Sequence, residues 1–81
     1  MNDLQKVADE ADMIISGYAF TRAGDKIRVL NLNNPSRAAV LAIDGEVLEA
    51  SMPDIDLTIV TRYYVENREF MEVQGAEILS V

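Results

Sequence analysis

Closely spaced turn signals divide the middle of this chain into runs that are too short for helices. Glycines stand at 17, 24 and 45, and residues 33–36 read Asn-Asn-Pro-Ser, a strong turn sequence. Asp44-Gly45 favours a hairpin, because both residues adopt positive φ readily. The β-rich runs between these turns predict an antiparallel meander of three or four strands. The predicted strands cover residues 18–22, 26–33, 38–43 and 46–50.

The segment before the first turn has the period of a helix. Leu4, Val7 and Ala11 recur at spacings of three and four residues, and polar residues fill the opposite face. Asn2 can cap the start of such a helix. The pattern predicts a helix over about residues 2–15, ended by the glycine at 17.

A second, longer helix is predicted after the strands, over about residues 53–72. Pro53 suits a first helical turn, Asp54 favours the positive end of the helix dipole, and Gly75 is the expected stop. The tail 76–81 is left open between an edge strand and a frayed end. The chain of 81 residues is therefore expected to be one α+β domain of two layers, with both helices on one face of the sheet.

The second predicted helix is apolar over an unusually wide arc. On a helical wheel its apolar side chains span about 200°, whereas packing on one sheet needs an arc only somewhat wider than ~100°. Two explanations stay open: the first helix covers the excess, or the excess forms an interface with a partner or a second copy. Tyrosine and methionine are enriched at such interfaces. The candidate interface residues are Val60, Tyr63, Tyr64, Asn67 and Met71.

The residue types exclude several kinds of chemistry. The chain has no cysteine and no histidine, so disulfides, thiolate zinc sites and a serine–histidine triad are ruled out. A metal site would need oxygen ligands alone, and no calcium-loop spacing is present. Glu46 and Glu49 fall in a short strand, and the acids at 66, 69 and 72 fall on an exposed helical stripe, where ordinary ion pairs with Arg62 and Arg68 account for them. We therefore predict no catalytic, cofactor-binding or metal-binding residue, no cofactor and no enzymatic activity.

Acidic residues outnumber basic ones two to one, for a net charge of −7. This balance argues against binding nucleic acid, which needs a basic face. The segment 44–81 alone holds nine acids against two arginines. Either this segment merely shows a solvated face, or its acidic surface attracts a basic protein partner. Because so small a core without disulfides is marginally stable, association with a partner or with a second copy is expected.

Short motifs occur at residues 17–20, at residues 27–33 before Asn34-Pro35, at residues 44–49, and at Tyr63-Tyr64 with Asn67. Together they resemble a small family of uncharacterised bacterial proteins of about this length, a domain of unknown function. The resemblance implies no activity and no site residue, because none is assigned in that family. Strands followed by a helix are also similar to small acidic antitoxin-type proteins that neutralise a basic toxin.

The function expected from the sequence is a non-catalytic protein-interaction or self-association module. Two alternatives stay open, namely a small ligand-binding domain or enzyme using Asp, Glu and Tyr, and an antitoxin-like partner of a basic protein. A pocket lined by two carboxylates would favour the ligand-binding alternative. No apolar run approaches the ~20 residues of a membrane span, and the start Met1-Asn2-Asp3 lacks the basic residues of a signal peptide. A cytoplasmic location without membrane contact is therefore predicted.

Overall fold

The fold is a five-stranded antiparallel sheet followed by one long helix. In a computed structural model of the chain, residues 10–80 are described, with side chains for all of them except 70 and 72–80. The sheet has the strand order β1-β2-β3-β4-β5, so every strand pairs with its neighbour in the sequence. The elements are β1 Met13–Ile15, β2 Tyr18–Ala23, β3 Lys26–Asn31, β4 Ala38–Ala42, β5 Val47–Ala50 and α1 Asp54–Ser80.

The core forms where one face of the sheet meets α1. The register places Phe20 opposite Val29 and Ile27 opposite Leu41, and all four side chains are buried. Because side chains alternate between the faces of a strand, these residues share one face. We call this the core face, and the opposite one the outer face. The α1 residues in the same buried cluster are Val60, Tyr64 and Met71.

Tyr64 joins the helix to the strands by a hydrogen bond as well as by packing. Its side chain is 1% exposed, and its hydroxyl donates to the Ile43 carbonyl oxygen at 2.6 Å. Gly45 follows in the same turn with a φ of 97°, and a Cβ at that position would lie 3.2 Å from Val65 Cγ2. The turn between β4 and β5 therefore fits under α1 because glycine is present.

The predicted N-terminal helix is wrong over its last part. Met13–Ile15 form strand β1, which pairs with β2 through the turn at Ser16 and Gly17, with φ of 51° and 84°. The part of that prediction on residues 1–9 lies outside the described residues. A short apolar run is compatible with the period of a helix and with that of a strand. Pairing with β2 makes this run a strand. The sheet consequently has five strands instead of three or four, and among residues 10–80 α1 is the one helix in the element order.

The predicted end of the second helix is also wrong. α1 has 27 residues and continues through Gly75 to Ser80, so most of the tail at 76–81 belongs to the helix. An isolated glycine costs only about 1 kcal/mol in a helix, and it ends one only where a C-cap arrangement forms around it. No helix in the described part of the chain is long and apolar enough to cross a membrane.

Candidate functional site

Strand β5 lies at the edge of the sheet and is exposed along its whole length. Its four residues Val47–Ala50 are all exposed, with Val47 at 39% and Leu48 at 44%. β4 occupies one side of β5, and no strand within residues 10–80 occupies the other. A free edge carries unpaired backbone N–H and C=O groups and can accept a further strand.

A β-bulge sets which face each β5 side chain occupies. Val40 lies opposite Glu49 and Leu41 lies opposite Val47, so Leu48 has no partner in the register. Leu41 is a core-face residue, and Val47 therefore lies on the side of α1. The extra residue reverses the alternation, so Glu49 lies on the outer face.

An apolar groove runs between β5 and α1. Leu57, Thr61 and Val65 are spaced four apart and therefore form one stripe on α1, facing Val47 across the groove. Val65 is 51% exposed, so a large part of this stripe is open to solvent. We call the free edge of β5 and this groove together the β5 surface. The groove is lined by Val47, Leu57, Thr58, Thr61, Arg62 and Val65.

Ser51, the residue after β5, is hydrogen-bonded to the start of β4 and to the loop before it. Ser51 N donates to the Ala38 carbonyl oxygen at 2.8 Å, and Ser51 Oγ donates to the Ser36 carbonyl oxygen at 2.8 Å. Ser51 Oγ also accepts from Ala38 N at 3.0 Å. Successive backbone N–H groups point to opposite sides of a strand. The N–H of Ala50 therefore points away from β4, toward the free edge.

Acidic residues flank β5 along the sequence. Between positions 44 and 66 the chain has six acids and one base, Arg62. Arg62 lies 3.3 Å from Glu66, and Asp56 is buried beside Arg37. The other four acids form no ion pair with the described part of the chain, and all four are exposed. They are Asp44, Glu46, Glu49 and Asp54.

A separate polar cluster ties the start of α1 to the sheet. Asp56 is 5% exposed, and its Oδ2 lies 3.6 Å from Arg37 Nη1 without a hydrogen bond among the described groups. Burial, and then the nearby Asp56 carboxylate, raise the pKa of Tyr18. The Tyr18 and Tyr63 rings lie 6.5 Å apart, and the Tyr63 hydroxyl is 3.2 Å from Ser16 Oγ. The cluster holds three chain segments together, so we assign it a structural role.

The outer face carries an open cleft of about 460 Å³. Ala19, Ala38 and Val40 contribute small side chains to it, and the charged residues Glu10, Arg28 and Glu49 also line it. Two of these are carboxylates, which is the feature expected of a ligand-binding domain. In the part of the chain that the structure describes, no group of three acidic residues could hold a metal ion.

The five interface residues expected from the sequence do not share one accessible surface. Val60, Tyr64 and Met71 are buried in the core, whereas Tyr63 and Asn67 are half-buried. Asn67 Nδ2 donates to the Tyr63 carbonyl oxygen at 2.9 Å, which is a bond within the helix. Self-association through these residues stays a prediction, because nothing in a single chain tests it.

Sequence reasoning missed the β5 surface because its exposure depends on the order of strands. Val47 and Leu48 read as ordinary core residues of a short strand, and Val65 lies among apolar residues of α1. The one available signal was the short length of the run at 46–50, which is typical of edge strands. That signal alone cannot tell an edge strand from a central one.

The family resemblance expected from the sequence is confirmed. A family model described as "Family of unknown function (DUF7723)" matches residues 1–71. That match covers β1 to β5 and most of α1, up to Met71. No curated protein matches the chain, and no solved structure matches it. The bacterial origin of the family stays a prediction.

Proposed function

The chain belongs to DUF7723, a family of unknown function, and we propose that it is a non-catalytic protein-interaction module. In this proposal an extended segment of a partner adds to the free edge of β5. The observation that carries it is an exposed edge strand that lies directly beside an apolar groove.

Strand addition uses both parts of the β5 surface. Backbone hydrogen bonds to a free edge supply affinity, and pockets for alternate side chains supply specificity. The unpaired N–H of Ala50 is one of the edge donors, and the stripe of Leu57, Thr61 and Val65 would receive every second side chain of the added strand. Exposed apolar side chains at Val47 and Leu48 would gain burial on binding.

A pair of substitutions at Ala50 tests this proposal. Ala50→Pro removes the N–H that points to the free edge, while the hydrogen bonds of Ser51 to β4 stay in place. Ala50→Thr changes the same exposed residue but keeps its N–H, so it is the matched control. Affinity capture from cells that make the protein compares three baits, which are the unchanged chain and the two variants.

We expect a protein that the unchanged chain and Ala50→Thr retain and that Ala50→Pro loses. Adding that protein in purified form should slow amide hydrogen exchange at residues 47–50, because the edge donors become hydrogen-bonded. Urea unfolding of each variant checks that the fold is kept. If Ala50→Pro captures the same proteins as the other two baits, strand addition at β5 is wrong.

The outer-face cleft favours a small-ligand site as a second candidate function. Its size falls in the range of small-molecule pockets, and the carboxylates of Glu10 and Glu49 line it together with Arg28. A screen of small charged compounds by protein-observed NMR tests this candidate. Ligand-induced shifts at Thr21 and Arg28 that are lost in Arg28→Gln would support it, and a screen without shifts there would refute it.

A further inference from the structure

We infer that the strand received by β5 alternates apolar residues with lysine or arginine. This inference rests on the proposed function, because it names the chemistry of the partner at the same surface. It follows from the two faces that β5 presents and from the charges around them.

The two sides of an added strand would meet different chemistry. On the side of α1 the groove is lined by the apolar Val47, Leu57 and Val65, and by Thr58, Thr61 and Arg62. On the outer face the nearest β5 side chain is Glu49, opposite Val40. Since side chains alternate along a strand, every second residue of the partner would face the groove and the others would face Glu49. Apolar residues fit the first set, and basic residues fit the second.

The surrounding charges point in the same direction. Asp44, Glu46, Glu49 and Asp54 are exposed, and no ion pair within residues 10–80 neutralises them. Arg62, the one base between positions 44 and 66, is already paired with Glu66. The four acids outnumber Arg28, the base that lines the outer-face cleft with Glu49, so the field at this edge attracts a cationic segment and increases its rate of association.

The same charges disfavour a second copy of the chain as the occupant. An antiparallel pair of β5 strands from two copies would bring two identical acidic edges together. Each edge carries Glu46 and Glu49 within a few residues of each other. Like charges placed across an interface oppose association. The acidic edge therefore favours binding of a basic strand and opposes pairing with a second copy.

Synthetic peptides test this chemistry directly on the full chain. Three eight-residue peptides alternate valine with lysine, with serine or with glutamate, so they share one apolar face and differ in charge. NMR titrations give each dissociation constant at about 0.1 M and about 1 M salt, where the Debye length is about 10 Å and about 3 Å. We expect the lysine peptide to bind most tightly, to shift residues 47–50 and to weaken about ten-fold at the higher salt.

Two charge variants locate the effect. Glu49→Gln should weaken binding of the lysine peptide about two- to five-fold, as loss of an exposed ion pair does. Asp25→Asn changes the net charge by the same amount in the turn between β2 and β3, and it should leave binding unchanged. Ala50→Pro should abolish the shifts at β5. Lysine-peptide binding that survives Ala50→Pro would be general attraction to an acidic protein, and it would overturn the inference.

The remaining outcomes separate this inference from the proposed function. Equal binding of the serine and lysine peptides would overturn the preference for basic residues while leaving strand addition in place. Binding by none of the three, together with a light-scattering mass of two chains that Ala50→Pro reduces to one, would show that a second copy occupies the edge. Both proposals would be refuted if none of the three peptides binds, the light-scattering mass is that of one chain, and all three baits capture the same proteins.

Discussion

Tyr63 and Tyr64 are neighbours in the sequence, but their hydroxyl groups differ in burial and in hydrogen bonding. Tyr64 is almost completely buried, and its hydroxyl donates to the Ile43 carbonyl oxygen at 2.6 Å. Tyr63 is half-buried, and its hydroxyl lies 3.2 Å from Ser16 Oγ in an exposed contact. Changing each tyrosine to phenylalanine removes one hydroxyl and leaves the ring, so the two variants form a matched pair.

The expected loss of unfolding free energy depends on whether water can replace each hydrogen bond. In Tyr64→Phe the Ile43 carbonyl loses its donor beneath the helix, where water replaces it poorly. A net hydrogen bond contributes about 0.5–1.5 kcal/mol, and a stranded buried group costs about 1–3 kcal/mol. Since Ile43 is half-buried, we expect Tyr64→Phe to lower the free energy of unfolding by about 1–2 kcal/mol. In Tyr63→Phe water can satisfy Ser16, so the loss should stay within about 0.5 kcal/mol.

Urea unfolding followed by far-ultraviolet circular dichroism measures both losses. The chain has no tryptophan, so backbone ellipticity is a better signal than fluorescence. The midpoint should shift while the slope stays constant, because neither variant changes the surface exposed on unfolding. The melting temperature should fall by about 4–8 °C for each kcal/mol lost. If Tyr63→Phe loses as much stability as Tyr64→Phe, the assignment of the Ile43 bond as the stronger one is wrong.

Three further changes test the turn and the polar cluster. Gly45→Ala should cost about 1–3 kcal/mol in urea unfolding, because alanine is strained at this φ and its Cβ would crowd Val65; an unchanged midpoint would contradict this. Arg37→Met leaves Asp56 buried without its cation, and since Arg37 is 42% exposed we expect a loss of about 1–3 kcal/mol. A loss under about 0.5 kcal/mol would show that Asp56 does not depend on Arg37. The raised pKa of Tyr18 means that the folded chain holds this proton more tightly than the unfolded chain. Its contribution to stability is therefore full below pH 10 and is lost as pH rises through the folded pKa. Unfolding measured between about pH 9 and pH 11 should show a smaller alkaline loss for Tyr18→Phe than for the unchanged chain, and equal losses would contradict the assignment.

The predicted interface at the second helix illustrates a limit of helical-wheel reasoning. The wide apolar arc predicted more apolar helix surface than the sheet alone would cover. The structure buries Val60, Tyr64 and Met71 against the sheet. Ile55, at one end of that arc, remains strongly exposed, so part of the arc is uncovered in the described chain. A wheel gives the width of an apolar stripe, but it does not say which part of that stripe the sheet covers.

The sequence alone determined where the chain turns and which strand residues face inward. The turns around Gly24, Asn34 and Gly45 separate the strands as predicted, because backbone conformations that suit glycine, asparagine and proline depend on the residues at the turn itself. Alternation along β3 puts Ile27 and Val29 together on the core face. These properties are local, and so a few consecutive residues contain them.

Tertiary structure decided the features that depend on distant neighbours. Met13–Ile15 became a strand because β2 was available to pair with it, and α1 passed through Gly75 because no C-cap formed there. The position of β5 at the edge, and the bulge at Leu48 that turns Val47 toward α1 and Glu49 outward, follow from the order and register of the whole sheet. The candidate site is built from these non-local features, since an edge exists only relative to the strands that do not pair with it.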